Sequence, residues 1–274
     1  MSSTSAVVPP VRLHTITAGS GPLVLCLHSS GGSSSQWRRL IESGKDAFRF
    51  LAFDFHGHGR SEEYRGEDYA LRCESDAIWA SIESVREPMH LVGHSFGGAV
   101  ALDLALRHRG RFASAIVFEP VLFALLDATT AEYREIASVG LRIAAAARAG
   151  DLEVASAAFV DYWNGAGCWS SMPSEQRERV RGRIVPVGRH FEALLADPVT
   201  TERLGCLDVP TLVLRGDHSP APARAVSDLL GAFSCVTREV LPGLGHMGPI
   251  TDADVVNPRI SAWLNAFSVV PMAA

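Results

Sequence analysis

The sequence predicts an α/β fold: a mostly parallel, doubly wound sheet with helices on both faces and an inserted helical segment. Three observations support this prediction. Short apolar runs recur along the chain, helical patterns separate most of them, and residues 122–205 break that alternation. Strands that alternate with helices form parallel sheets, because each helix carries the chain back to the starting edge. With 274 residues, 47% of them hydrophobic, the chain is long enough to bury such a core.

The predicted strands are short and rich in branched or aromatic apolar residues. Residues 22–28, PLVLCLH, form an almost continuous apolar run, which is typical of a strand that is buried on both faces. The full set of predicted strands is 11–17, 22–28, 49–54, 89–93, 115–119, 210–216 and 236–241.

Helices are predicted between these strands. Residues 67–86 place apolar side chains about one helical turn apart, as in an amphipathic helix. Pro258 limits where the last helix can begin, because proline lacks the backbone N–H that a helix interior uses. The other predicted helices of the core are about 96–108, 225–233 and 255–267.

Residues 122–205 are predicted to form a helical lid that is inserted into the core. This stretch has mainly helical patterning, and a loop is expected between two of its helices at 163–173. The core is then divided between residues 11–121 and 206–274. Residues 1–10, MSSTSAVVPP, are expected to be a flexible leader.

The composition argues against several classes of protein. The net charge is −5, so no basic field is available to hold nucleic acid. Five cysteines without a C-x-x-C pair are typical of free thiols in a reducing compartment. No apolar run approaches the ~20 residues that span a bilayer, and the N-terminus lacks a secretory signal. We therefore expect a cytoplasmic protein that acts on a small-molecule substrate, with neither nucleic acid nor membrane as a partner.

The strongest functional signal is residues 93–98, GHSFGG, which match G-x-S-x-G. A predicted strand precedes this segment and a predicted helix follows it. In that setting Ser95 occupies a tight strand-to-helix turn, and the flanking glycines avoid clashes that a Cβ would cause. The N-terminus of the helix favours developing negative charge. A serine that merely caps a helix is the alternative, but the context favours a nucleophile.

The chain resembles the α/β-hydrolase superfamily in its motifs and in their order. This resemblance implies a serine-nucleophile, esterase-like hydrolase with a helical lid, and neither a metal nor an organic cofactor. His56 and His58 form an H-x-H pair that could chelate a metal, but their segment resembles a structural turn of the family. The matching segments are HSSGGSSSQW (28–37), DFHGHGRS (54–61), GHSFGG (93–98), VPTLVLRG (209–216) and GLGHMGPI (243–250).

The resemblance also implies partners for Ser95. A serine hydroxyl is a weak nucleophile at neutral pH and needs a base within hydrogen-bond reach. His246, in GLGHMG after the last predicted strand, matches that base. An oxyanion hole needs two N–H donors, and the match assigns them to the backbone of Phe96 and of Ser30. The chain reads HSS at 28–30, where such families usually read His-Gly-x.

Two carboxylates compete as the acid that orients His246. Most of the family places the acid after the strand that here ends at Gly216, but that spacing lands on Ser219, and Asp217 lies two residues earlier. Glu119 ends the neighbouring predicted strand, where a branch that includes some haloalkane dehalogenases carries its acid. A carboxylate that ends an apolar strand is unfavourable unless it is paired. Glu119 is therefore preferred, and Asp217 remains the alternative.

These residues predict acyl transfer to water. The expected activity is cleavage of a carboxylic ester, or a related acyl compound, of a small to medium apolar substrate through an acyl-enzyme. Phe123, Trp163 and Trp169 of the lid are expected to line an apolar pocket, although core packing is the alternative for each of them. The rival functions are a hydrolase of carbon–carbon bonds in ring-cleavage products, a perhydrolase, a lactonase, and a small-molecule receptor with little or no turnover.

Overall fold

A seven-stranded sheet forms the centre of the computed structural model, which describes residues 12–268. The leader predicted at residues 1–10 lies outside the described residues. The spatial order of the strands is β1-β3-β2-β4-β5-β6-β7; β1 runs antiparallel to β3, and every other neighbouring pair is parallel. The strands are β1 (Thr15–Ala18), β2 (Leu23–Leu27), β3 (Arg49–Phe53), β4 (Met89–His94), β5 (Phe112–Phe118), β6 (Thr211–Gly216) and β7 (Val236–Leu241).

Helices connect the parallel strands, as the alternation in the sequence requires. None of those within residues 12–268 combines the length and the apolar character of a membrane span. They are α1 (Arg38–Gly44), α2 (Leu71–Ile82), α3 (Phe96–Arg107), α4 (Ala131–Arg148), α5 (Leu152–Asn164), α6 (Cys168–Ser171), α7 (Ser174–Arg181), α8 (Ile184–Ala196), α9 (Thr201–Leu204), α10 (Ala221–Leu230), α11 (Gly248–Thr251) and α12 (Ala253–Phe267).

Both faces of the sheet are buried. In β2, Leu23, Leu25 and Leu27 point to the layer that contains α2, α3 and α10. Val24 and Cys26 point to the opposite layer, which contains α1 and α12. Successive side chains of a strand alternate between faces, so a strand covered on both sides must be apolar at every position.

Six helices, α4 to α9, lie between β5 and β6 and interrupt the alternation of strands and helices. Within this insertion α4 packs against α5 and α8, and α8 also contacts α2 of the core. Side-chain oxygens cap three of these helices: Thr130 accepts from the N–H of Tyr133, Asp151 from that of Val154, and Thr200 from that of Arg203. Such caps satisfy donors that the first helical turn leaves without partners.

Some element boundaries differ from those predicted. β1 begins at Thr15 rather than at residue 11. The N–H of His14 donates to the side-chain oxygen of Ser61 and not to a backbone carbonyl of a neighbouring strand. The loop predicted at 163–173 contains the short helix α6. Pro258 lies inside α12, which begins five residues earlier at Ala253. The prediction that proline restricts this start was wrong, since the apolar face of α12 packs on the sheet and offsets the missing backbone hydrogen bond.

Candidate active site

Ser95 occupies the turn between β4 and α3. Its backbone has φ 56° and ψ −118°, a conformation that is sparsely populated for residues other than glycine. Its N–H donates to the carbonyl of Phe118 on β5, and its carbonyl accepts from the N–H groups of Gly98 and Ala99. The chain therefore passes directly from a central strand into a helix, with this serine at the bend.

The glycines of the motif are required by close backbone contacts. A Cβ at Gly97 would lie 2.2 Å from the carbonyl oxygen of Leu27, and a Cβ at Gly93 would lie 2.5 Å from the carbonyl oxygen of Gly97. Both distances are far below van der Waals contact. Glycine is therefore needed at positions 93 and 97 because α3 packs so closely on the ends of β2 and β4.

Sheet register brings Ser95 and Glu119 to the same edge. His94 of β4 pairs with Phe118 of β5 in the parallel ladder. Ser95 and Glu119, the next residue after each of them, therefore leave their strands side by side. Glu119 also has a positive φ, 44°. Two adjacent strands therefore end in a non-glycine residue in an uncommon conformation. Such residues cost about 1–3 kcal/mol each and occur often at functional sites.

A buried chain of hydrogen bonds joins Ser95, His246 and Glu119, which are called the triad below. Ser95 Oγ lies 2.9 Å from His246 Nε2, and His246 Nδ1 lies 2.6 Å from Glu119 Oε2. Because the carboxylate accepts a hydrogen bond from the protonated Nδ1, Nε2 carries no proton and can accept from the serine hydroxyl. The residues are 5%, 2% and 0% exposed, respectively.

The second oxygen of Glu119 is also bound. Oε1 accepts from the N–H of Gly216 at 2.7 Å and from the hydroxyl of Ser219 at 2.5 Å. These bonds offset the loss of hydration of a fully buried carboxylate. Asp217, the alternative acid, instead accepts from the N–H of Gly243 at 2.7 Å, and its side chain is 42% exposed. The structure therefore brings Glu119, and not Asp217, to the imidazole of His246.

The N–H groups of Ser30 and Phe96 are available for a ligand. Phe96 is the first residue of α3, where helical N–H groups lack intrahelical partners. Within residues 12–268, neither of these two amides donates a hydrogen bond to the protein. Ser30 belongs to residues 28–32, called the donor loop below, which follows β2. Its role as an oxyanion donor stays a prediction.

A second chain of hydrogen bonds connects the donor loop to His246. The N–H and hydroxyl of Ser29 donate to Gln36 Oε1 at 3.1 and 3.2 Å, and Gln36 Nε2 donates to His94 Nδ1 at 3.1 Å. His94 Nε2 then donates to the carbonyl of His246 at 2.8 Å. Burial and the neighbouring His246 lower the pKa of His94 well below its usual range. The ring is therefore neutral and can accept at one nitrogen and donate at the other.

Sequence reasoning did not assign a role to Gln36. It lies in the segment 28–37 that matches the family, but its partner His94 is 58 residues away. Because successive side chains of a strand alternate between faces, the side chain of His94 should point away from that of Ser95. Its ring does extend to Gln36 and to the backbone of His246 rather than to Ser95.

The three predicted lid residues lie in different surroundings. Trp163, at the end of α5, stacks on the imidazole of His246 with a centroid distance of 3.9 Å and an interplanar angle of 26°. Phe123 is fully buried in the core, in a short turn after β5. Trp169 packs within the insertion, where its Nε1 donates to Glu153 at 2.7 Å. Of the three, Trp163 is therefore the residue that the structure places against the triad.

His56 and His58 bind protein atoms. His56 Nδ1 lies 3.0 Å from the carboxylate of Glu74. His58 Nδ1 donates to the carbonyl of His56 at 2.9 Å, and its Nε2 accepts from the N–H of Gly31 at 3.1 Å. Both rings thus act as structural connections next to the donor loop.

Comparison with known proteins identifies the family. The model of the alpha/beta hydrolase family matches residues 24–259, a stretch that contains the whole triad. The chain belongs to the alpha/beta hydrolase family. The resemblance predicted from the motifs and the α/β fold predicted from the alternation of elements are both confirmed.

This alpha/beta hydrolase resembles proteins with several activities. It is 27% identical over 259 residues to a non-heme haloperoxidase of Rhodococcus erythropolis, covering 90% of this chain and 94% of that protein. Its fold is similar to that of a thermophilic esterase from Thermogutta terrifontis, with a TM-score of 0.76, 23% identity, and coverage of 96% and 97% of the two chains. The enol-lactonase of Burkholderia xenovorans LB400 gives a TM-score of 0.74, 21% identity, and coverage of 95% and 99%.

Proposed function

We propose that the protein is a serine hydrolase that cleaves a carboxylic ester, or a related acyl compound, of a small to medium apolar substrate through an acyl-enzyme. One observation carries the proposal. At the buried ends of the strands, hydrogen bonds join the imidazole of His246 to the hydroxyl of Ser95 at 2.9 Å and to the carboxylate of Glu119 at 2.6 Å. This is the arrangement that activates a serine hydroxyl.

In the first half of the reaction, Ser95 Oγ forms a bond to the carbonyl carbon of the substrate. His246 Nε2 takes the hydroxyl proton, and the carboxylate of Glu119 stabilises the resulting imidazolium. The carbonyl oxygen becomes an oxyanion, which accepts from the backbone N–H groups of Ser30 and Phe96. His246 then gives its proton to the leaving alcohol oxygen as the bond from carbon to that oxygen breaks.

In the second half, water replaces the alcohol. His246 takes a proton from the water as its oxygen attacks the acyl carbon. The oxyanion again accepts from the two amides. The bond to Ser95 Oγ breaks, the serine regains its proton from His246, and the carboxylic acid is released.

Apolar side chains near the triad support an apolar substrate. Trp163 covers the imidazole of His246, and Phe159 and Val187 lie next to Gly31 of the donor loop. Apolar side chains in these positions would remove apolar groups of a bound ligand from water, which favours binding of an apolar substrate.

Hydrolysis of nitrophenyl esters of graded chain length, with Ser95→Ala as the matched variant, tests the proposal. We expect a burst of nitrophenol equal to the amount of enzyme, absent in Ser95→Ala, and an optimum among short to medium acyl chains. Equal turnover by wild type and variant would overturn the assignment of Ser95. Binding of such ligands without any burst would favour a receptor, and faster turnover of a vinylogous diketone acid than of any ester would favour a carbon–carbon hydrolase.

A further inference from the structure

Two imidazole rings hold the donor loop against the core. His28, the first residue of the loop, donates from Nδ1 to the carbonyl of Ser29 at 2.7 Å and accepts at Nε2 from the N–H of Phe55 at 3.1 Å. His58 Nε2 accepts from the N–H of Gly31 at 3.1 Å. Burial lowers the pKa of His28 to about 3 and also lowers that of His58, so both rings are neutral. In that form each ring can make the bond described.

A third imidazole reaches the same loop from the insertion. His190 lies on α8, and its Nδ1 is 2.5 Å from Ser30 Oγ. Its ring stacks flat on that of Phe96, with a centroid distance of 3.7 Å and an angle of 2°. The residue is 1% exposed, and its Nε2 has no partner within residues 12–268. His190 therefore touches both residues whose backbone amides are proposed to bind the oxyanion.

Arg183, immediately before α8, strengthens the same connection. Its guanidinium donates to the carbonyl of Gly31 at 3.0 Å and to that of Gly32 at 3.1 Å. Together with His190 it gives the donor loop three hydrogen bonds to the insertion. The conformation of the loop thus depends on where α8 lies.

We propose that His190 is a positioning residue of the reaction. Through Ser30 it fixes the donor loop in the conformation that binds the oxyanion, and it does so only while the insertion is closed over the triad. The proposal rests on the proposed function, because it assigns a role to the Ser30 amide in that reaction. His190 does not touch the reacting atoms, so its effect passes through Ser30 and the stacked Phe96.

The burial of the triad explains why this coupling affects turnover. Ser95 and His246 are 5% and 2% exposed, and Trp163 of the insertion covers the imidazole. A substrate therefore reaches Ser95 only after part of this cover has moved. Trp163 lies on α5, which packs against α8. A movement of this cover that carries α8 with it would separate His190 and Arg183 from the donor loop, and its return would restore the donor geometry around the bound substrate.

The test compares His190→Phe, Ser30→Ala and the double variant. Phenylalanine keeps the flat stack on Phe96 and removes the bond to Ser30, and alanine removes the same bond from the other side. A misplacement of about 1 Å can reduce a rate by roughly 100-fold. We therefore expect each single variant to lower kcat by about 10-fold to 100-fold with KM changed less than about twofold. The double variant should be no worse than either single one, because all three lack one shared bond.

A matched control and a rescue separate this role from general stability. His108→Phe is the control, since His108 also stacks flat on an aromatic ring, that of Trp79 at 3.5 Å, and lies at the far end of α3. It should leave kcat unchanged. His190→Asn should recover part of the lost kcat, because its amide nitrogen occupies about the position of the imidazole Nδ1. If His190→Phe does not fold, Ser30→Ala together with His190→Asn still decides the question.

Amide hydrogen exchange gives a readout that does not depend on turnover. Exchange at Gly31 and Gly32 should be faster in His190→Phe than in wild type and unchanged in His108→Phe. Unchanged exchange, unchanged kcat, or additive losses in the double variant would each overturn the role of His190. If wild type and Ser95→Ala hydrolyse esters equally slowly, the hydrolase proposal fails, and the exchange rates still decide whether His190 holds the loop.

Discussion

Replacing the carboxylate of Glu119 with an amide should remove the base from the site. The carboxylate accepts three hydrogen bonds, from His246, Gly216 and Ser219. In Glu119→Gln only one oxygen remains as an acceptor. With that oxygen bound to Gly216 and Ser219, the amide nitrogen faces His246 Nδ1 and forces the imidazole proton onto Nε2. The nitrogen that faces Ser95 then carries a proton and cannot accept another.

The expected loss follows from this change of tautomer. An equivalent substitution in a serine protease lowers kcat by about 10⁴-fold, which corresponds to about 5.4 kcal/mol of activation free energy. Steady-state hydrolysis of a nitrophenyl ester measures the loss, and a thermal melt verifies that the variant is folded. Asp217→Asn is the matched control and should retain kcat within about threefold, because Asp217 binds the N–H of Gly243 and not the imidazole. A larger loss in Asp217→Asn than in Glu119→Gln would refute the assignment of the acid.

Three further expectations follow from contacts around the site. Trp163→Leu removes the aromatic face that stacks on His246. Because a cation–π contact contributes about 0.5–2 kcal/mol, kcat should fall about 2-fold to 30-fold in the ester assay. An unchanged kcat would contradict a contact between Trp163 and the imidazolium. Gly97→Ala places a Cβ 2.2 Å from the carbonyl of Leu27, so a lower melting temperature and loss of the nitrophenol burst are expected, and a wild-type melt would contradict the tight turn. Acid should destabilise the fold through His28, whose pKa is about 3 in the folded state and 6.5 in the unfolded state. Between these two values only the unfolded state takes up the proton. Lowering the pH from 7.5 to 5.5 should therefore reduce the free energy of unfolding by about 1.4 kcal/mol from this residue alone. Urea unfolding at the two pH values measures the change, and equal stability at both would show that His28 is not buried as a neutral ring. Burial also lowers the pKa of five more histidines and so adds to the loss: His58, His90, His94, His108 and His190.

Local sequence patterns predicted those features that local contacts determine. The strand-to-helix turn at Ser95 follows from glycines within two residues of it. Glu119 was preferred because a carboxylate at the end of an apolar strand needs a partner, and its Oε2 does lie 2.6 Å from His246. Local patterns were weaker at element boundaries. Pro258 was given too much weight, because the packing of α12 outweighs one missing hydrogen bond.

Features that depend on distant contacts could not be read from the sequence. His190 lies 160 residues from Ser30, and no motif surrounds it. The aromatic residues of the lid were predicted together from their chemistry, yet Trp163 meets His246 while Trp169 packs within the insertion. The direction of each side chain is set by how α5 and α6 pack, which periodicity alone does not reveal.

The burial of Ser95 also bears on which molecule receives the acyl group. In the proposed reaction, an acyl group on Ser95, which is 5% exposed, has little contact with bulk solvent, so the second reactant must enter through the same opening as the first. An apolar lining concentrates alcohols relative to water. Transesterification to small alcohols should therefore compete with hydrolysis more strongly than the bulk ratio of alcohol to water would suggest.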